Sequence, residues 1–240
     1  LTVSYQPLYH LETGAIVGLE ALCRWNSHKL GEVLADEFIP VAEETGLITA
    51  LGIKVIEMVV DTILRWKEAG INVPRVAINL SVRQIHSDET LAIIRDVISD
   101  KGLPGKALGF EITESSLIDD PQRAQDNIRT IKSLGASIAI DDFGTGYSSL
   151  AYLKKFSVDV LKIDRSFISD LVNNSDDQAI IETIIGMARN LGLSVVAEGV
   201  ENRAQADYLL QRGCTIAQGY LFSNPLAENE CRELLTNNTV

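Results

Sequence analysis

Seven polar residues of this 240-residue chain each close a short apolar run. They are Glu20, Asn79, Glu111, Asp141, Lys162, Glu198 and Gln218. The most pointed case is the fifth of the runs that read as barrel strands, where Ile138-Ala139-Ile140 ends in two adjacent carboxylates, Asp141 and Asp142. A loop containing Gly144 and Gly146 follows at once. Adjacent carboxylates repel each other, and burying them together is costly unless cations compensate. Taken alone, the stretch fits a solvated acidic turn as well as a metal site, because Asp and Gly are ordinary turn residues. Seven polar strand ends together are a different matter. Six of them carry carboxylate or amide oxygens suited to hard cations, and the seventh, Lys162, is a lysine.

The charge balance suggests what these ends hold. Glu20, Glu111, Asp141, Asp142 and Glu198 are five carboxylates, matched by two divalent cations together with Lys162. All-oxygen ligands suit Mg²⁺ or Mn²⁺ rather than zinc. Two such ions about 4 Å apart activate a water and hold a phosphoryl group for in-line displacement. Ca²⁺, which takes more ligands in looser geometry, is expected to inhibit.

These residues need elements that bring them together. Residues 1–11 and 15–25 read as an antiparallel strand pair with a turn at Thr13-Gly14. Glu20, Leu22 and Arg24 share one face of the second strand by its period of two. Helical patterns begin at Asp36 and cover 50–69, with Gly70 as a stop. Strands then end at Asn79, at Glu111 (with Glu114 just beyond), at Asp142, past Lys162 toward Asp164, at Glu198 (with Glu201 after it) and at Gln218. Helices between and after them are expected at 88–99, 121–134, 176–191, 204–212 and 228–235, and a helical turn near 149–153. Strand–helix alternation with about eight strands predicts an α/β fold, a (β/α)8 TIM-like barrel whose first strand runs against the rest. The strand ends then converge on one rim. No linker or low-complexity stretch interrupts residues 1–240, so one domain is expected; its opening on a strand-like run suggests a domain taken from a longer chain.

Composition narrows the rest. The net charge of −12 argues against coating a nucleic acid polymer. Cys23, Cys214 and Cys231 form an odd, scattered set without CxxC, as expected of reduced thiols in the cytoplasm. No apolar run of about 18 residues offers a membrane span; a cytoplasmic domain without a signal peptide is expected, within a longer chain that carries any membrane anchor elsewhere. His10, His28 and His86 form no HExxH, and the glycines after Asp142 form no phosphate-binding loop, since no GKS or GKT follows. Trp25 and Trp66 read as core anchors. Asp119, Asp120, Asp176 and Asp177 sit near helix starts, where they favour the dipole.

The motifs together resemble one family. Glu20-Ala21-Leu22 is similar to the signature of EAL-domain cyclic di-GMP phosphodiesterases. YQP from Tyr5, FIPVAEETGLI from Phe38, INLS from Ile78, FEITES from Phe110, DDFGTGYSSL from Asp141, LKIDRSF from Leu161, VAEGVE from Val196 and QGY from Gln218 follow in the family's order. Departures fall at Cys23, Ala35 and Asn224, away from the implied ligands. The resemblance implies that Glu20, Asn79, Glu111 and Asp141 hold one metal, and that Asp141, Asp142 and Glu198 hold a second with Asp141 bridging. It implies that Lys162 orients the attacking water and stabilises the transition state, with Gln218 and Glu198 also catalytic. Arg24 becomes a phosphate contact and Leu22 packs against substrate, with Gln6, Asp164 and Glu201 also on the substrate side. Glu114 pins the DDFGTG loop. The implied reaction opens one 3′–5′ phosphodiester of cyclic di-GMP to give pGpG. Implied partners are a second copy in a homodimer and sensory or cyclase domains on the same chain. An inert cyclic di-GMP receptor is the alternative, although degenerate relatives carry broken ligand sets and this one is intact. A barrel lyase with a lysine base is a third reading, and needs only one metal.

Overall fold

A computed structural model describes residues 1–117, 120–146, 153 and 155–238. Its strands in chain order are β1 (Thr2–His10), β2 (Ile16–Ser27), β3 (Gly31–Val33), β4 (Arg75–Leu80), β5 (Leu108–Thr113), β6 (Ser137–Phe143), β7 (Val160–Ile163), β8 (Ser194–Ala197), β9 (Ile216–Ala217) and β10 (Leu226–Ala227). From β2 the sheet runs in parallel through β4, β5, β6, β7, β8 and β9. β1 pairs antiparallel with both β2 and β9 and so closes an eight-stranded ring. β3 and β10 are short additions outside it. The barrel with a reversed first strand is therefore as the sequence pattern predicts.

The helices are α1 (Ala35–Glu44), α2 (Ile48–Glu68), α3 (Val82–Ile85), α4 (Asp88–Ser99), α5 (Pro121–Ser133), α6 (Arg165–Ser169), α7 (Ser175–Leu191), α8 (Arg203–Arg212) and α9 (Glu228–Asn237). α7 shows why they form where they do. The Asn174 side chain accepts from the Asp176 and Asp177 N–H groups, satisfying donors that lack partners in the first turn. Ile181, Ile184, Ile185 and Ala188, spaced at three and four residues, are buried against the barrel. Each buried isoleucine contributes roughly 1.5–3 kcal/mol. Gly192, at φ 71°, ends the helix in the left-handed conformation that glycine adopts without a Cβ clash.

Strand parity decides which side chains reach the interior. On β7, Leu161 and Ile163 are fully buried on the helix side while Lys162 points into the barrel. Register then brings the strand ends level: Gln6 lies opposite Glu20 and Asn79 opposite Glu111. β3, α3, α6 and β10 were not foreseen from sequence; at two to five residues they are too short to show a period. Of the helical turn expected near 149–153, only Leu153 lies within the described residues, where it is helical and buried. Asp119 also lies outside them.

Candidate active site

The chemistry gathers on Lys162. Its ammonium is 1% exposed and reaches four carboxylates: Glu111 Oε2 at 2.5 Å, Glu198 Oε1 at 2.6 Å, Asp141 Oδ1 at 3.2 Å and Glu20 Oε2 at 3.3 Å. β7 presents it because the short strand is apolar on its outer face and the inner face leaves one long side chain to fill the barrel. Around the hub, Asn79 Nδ2 donates to Glu20 Oε1 at 2.9 Å. Gln218 Nε2 donates to Glu20 Oε2 at 2.6 Å and to Glu198 Oε1 at 3.4 Å. The Gln218 Oε1 atom is buried and has no hydrogen-bond partner among the described residues.

One ammonium does not balance so many carboxylates in a dry interior. Burial opposes the charge on Lys162, but Glu111, Glu198, Glu20 and Asp141 outweigh it and hold the lysine pKa well above its usual value. Burial also opposes the Glu20 charge, yet Lys162 with the Gln218 and Asn79 donors draws its pKa down. Glu111 goes the other way: burial, reinforced by the Glu20 charge, raises it well above the ordinary carboxylate range. Burial, with Asp141 and Glu20 adding to it, pushes Glu198 up to about 8. Asp142 is pushed up to about 6 by burial and by Asp141 and Asp164. Carboxylates that resist ionising this strongly call for more positive charge than Lys162 supplies.

Two triads are arranged so that they could hold the cations that would supply it. Oxygens of Glu20, Glu111 and Asp141 lie within 4.8 Å of one another, as do those of Asp141, Asp142 and Glu198. Asp141 belongs to both. These all-oxygen sets fit hard divalent cations. Asn79, at the end of β4, turns its amide nitrogen to Glu20, and its oxygen is the group a cation would take. Asp142 owes its direction to a backbone φ of 52°, an uncommon conformation for a residue with a Cβ, which Asp tolerates better than most. Glu114 is 5% exposed and its Oε2 accepts from the Gly144 N–H at 3.4 Å, gripping the loop after β6. A Cβ on Gly146 would sit 3.0 Å from Glu114 Oε1, so glycine there lets the loop close over the carboxylate.

The other residues singled out in the sequence make no bond to Lys162 among the described residues. Gln6 is buried and donates to the Ser223 carbonyl at 3.3 Å. Leu22 and Arg24 follow Glu20 on β2 and are half-buried. Arg24 bonds only the neighbouring Cys23 carbonyl, at 3.0 Å, and joins no ion pair among the described residues. Asp164 caps α6, accepting from the Ser166 N–H at 3.0 Å. Glu201 is exposed, and its N–H is held by Gln205 Oε1 at 2.8 Å. Missed altogether was the support behind Asn79. Ser81 and Gln84 cap α3 reciprocally just after β4, and Asn127 Nδ2 donates to the Ile85 carbonyl at 2.7 Å. The Ser-x-x-Gln spacing is a capping-box signal that could have found it.

Comparison with known proteins accords with this geometry. The EAL domain family profile matches residues 1–225. The chain is 38% identical over 226 residues to the cyclic di-GMP phosphodiesterase PdeR of Escherichia coli, covering 94% of this chain and 34% of that protein. It is 38% identical over 226 residues to the bifunctional diguanylate cyclase/cyclic di-GMP phosphodiesterase MucR of Pseudomonas aeruginosa, covering 94% and 33%. The solved PaMucR phosphodiesterase, a c-di-GMP complex, superposes with a TM-score of 0.91 at 36% identity, covering 96% of this chain and 93% of that one. The chain thus spans about a third of the length of these curated relatives. By profile, by identity and by fold, the chain belongs to the EAL domain family.

Proposed function

We propose that this domain hydrolyses one 3′–5′ phosphodiester of cyclic di-GMP to linear pGpG, using two divalent cations, Mg²⁺ or Mn²⁺. The observation that carries the reading is the pair of carboxylate triads sharing Asp141 around Lys162. Glu20, Asn79, Glu111 and Asp141 would hold one ion, and Asp141, Asp142 and Glu198 the other. When bound, the ions supply Lewis-acid activation of a water and neutralise phosphate charge.

The chain's own groups do the rest. Lys162 stays charged and needs no reorganisation to meet the negative charge that grows on the phosphoryl oxygens. Gln218 is anchored through its nitrogen, so its unpartnered Oε1 can accept a hydrogen from the attacking water and fix its direction. Glu198 lies within reach of both Lys162 and Gln218, placed to take that water's proton. Arg24, which meets no carboxylate among the described residues, offers its guanidinium to a phosphate, for which its planar fork is suited. Leu22 gives the substrate an apolar contact, and Gln6, Asp164 and Glu201 border the same rim. Glu114 holds the loop that aims Asp142.

The domain is read as one unit of a longer cytoplasmic polypeptide with sensory or cyclase domains, which the length and the bifunctional character of MucR support. Pairing as a homodimer belongs to the same reading. No helix among the described residues is long and apolar enough to cross a membrane. The test is to incubate the protein with cyclic di-GMP and Mg²⁺ and to separate the nucleotides by chromatography, beside the Asp141→Asn variant. The wild type should yield pGpG, and the variant should lose at least roughly a thousandfold in turnover, as expected when a shared ligand fails. Binding without product in the wild type would make the domain an inert receptor.

A further inference from the structure

We propose that the barrel interior beneath Lys162 is a second ligand site, entered from the end opposite the catalytic rim and fitted to a short-chain monocarboxylate. A barrel of this kind is ordinarily filled below its rim by layers of branched side chains. Here Gly18, Ala77, Gly109 and Ala139 stand two residues before Glu20, Asn79, Glu111 and Asp141, and so share their inward face. These small residues leave a cavity of about 140 Å³ whose lining also includes Glu111 and Lys162. Gly109 has no room to be larger: a Cβ there would sit 2.9 Å from the Ser137 hydroxyl and 3.2 Å from Arg75 Cδ. Arg75 and Ser194, which line the cavity too, are the first residues of β4 and β8 and are exposed. The cavity therefore opens where the strands begin, away from the carboxylate triads.

The lining chooses the ligand. Leu8, Val160 and Val196 join the small residues in a largely apolar wall. At the mouth, the Arg75 guanidinium bonds only the Lys106 carbonyl, at 3.4 Å, and joins no ion pair among the described residues. Ser137 and Ser194 add hydroxyls that make no hydrogen bond among the described residues. Glu111 is the one acid in the lining among the described residues, at the inner end and bound to Lys162. Asp159, beside Val160, is already held by Lys132 at 2.6 Å and by the Ile138 N–H at 2.9 Å. A carboxylate head on Arg75 and the two hydroxyls, with an apolar tail among the Ala and Val side chains, satisfies both halves of the cavity. An apolar cavity of about 150 Å³ takes benzene, so about six non-hydrogen atoms fit here, the size of butyrate. A nucleotide is too large, and a metal ion or an amine meets the Arg75 charge at the entrance.

The probe is butyrate, added to the protein in chelator so that no cation at the rim attracts it. Butylammonium and butanol are the controls. NMR of the valine methyl groups reads the place as well as the affinity. Butyrate should shift the Val160 and Val196 methyl signals saturably, with a dissociation constant of about 1 mM, in keeping with so few atoms. Each control should bind at least roughly tenfold more weakly, since each lacks the charge that Arg75 pairs with. Arg75→Gln should weaken butyrate by a similar factor with an unchanged melting temperature. Ser194→Leu, at the exposed mouth, should plug the cavity and abolish the shifts. Equal binding of either control, or full affinity in Arg75→Gln, would overturn the proposal. So would shifts confined to valines elsewhere, or no saturation by about 50 mM, far above the affinity expected of such a site.

Discussion

At the scale of single residues, the site turns on one ammonium set among carboxylates that belong to different strands. Lys162 was visible in the sequence because a lysine interrupts an otherwise apolar run, and parity placed it inside the barrel. What the sequence could not reveal is that it touches Glu20, Glu111, Asp141 and Glu198 at once, since those distances depend on register between strands far apart in the chain. If Lys162 acts mainly on charge that develops during reaction, Lys162→Ala should lower kcat by roughly a hundredfold or more while the dissociation constant for cyclic di-GMP changes little. Steady-state kinetics beside calorimetry of substrate in Ca²⁺ separates the two. A large loss of binding with kcat preserved would make the lysine a phosphate clamp instead. The roles of Gln6, Asp164 and Glu201 were the least legible, because each is also used, or sits beside a group that is used, in an ordinary structural bond.

At the scale of elements, the long periodic segments were legible and the short ones were not. α7 declared itself through isoleucines at helical spacing, an asparagine cap and a terminal glycine. α3 did not, since four residues carry no period; its evidence was only the Ser81–Gln84 cap. The loop after β6 is an intermediate case. Two glycines marked it as a turn, but the grip of Glu114 on Gly144 needed coordinates. Glu114→Ala removes that grip without touching a candidate ligand. It should shift the Mg²⁺ activation curve to higher concentration by about tenfold, the order expected when a group behind a metal ligand is lost. An unchanged curve, measured as initial rate against Mg²⁺, would show that the loop aims Asp142 without help.

At the scale of the whole molecule, the acidic centre couples folding to pH and to cations. Glu198, pushed up to about 8 from 4.5, and Asp142, pushed up to about 6 from 3.8, bind protons more tightly in the folded protein than in the unfolded chain. The folded state therefore holds the extra protons, and stability falls as pH rises. The contribution is complete below the ordinary carboxylate values, and is lost as pH climbs through about 6 for Asp142 and about 8 for Glu198. Glu20, drawn down, acts only on the acid side, and Lys162, held up, only on the alkaline side. In chelator the melting temperature should thus decline from pH 5 to 8, and saturating Mg²⁺ should remove most of the decline by replacing protons. Calorimetry of Mg²⁺ binding at pH 7 in buffers of different ionisation heat should register proton release. A melting temperature that holds level or rises over this range in chelator would contradict the assignment.

The central claim is that the rim of this barrel turns over cyclic di-GMP rather than only holding it, and that its two triads do so with compact, strongly polarising cations. Mg²⁺ and Mn²⁺ suit rigid strand ends, whereas Ca²⁺ prefers about 2.3–2.6 Å and more ligands, and polarises water less. The most direct measurement is binding by calorimetry and cleavage by chromatography on one sample of the protein under each ion. Cyclic di-GMP is expected to bind in Ca²⁺ without product, and exchange into Mg²⁺ or Mn²⁺ to yield pGpG. Equal turnover in Ca²⁺, or tight binding with no cleavage under any of the three ions, would contradict it.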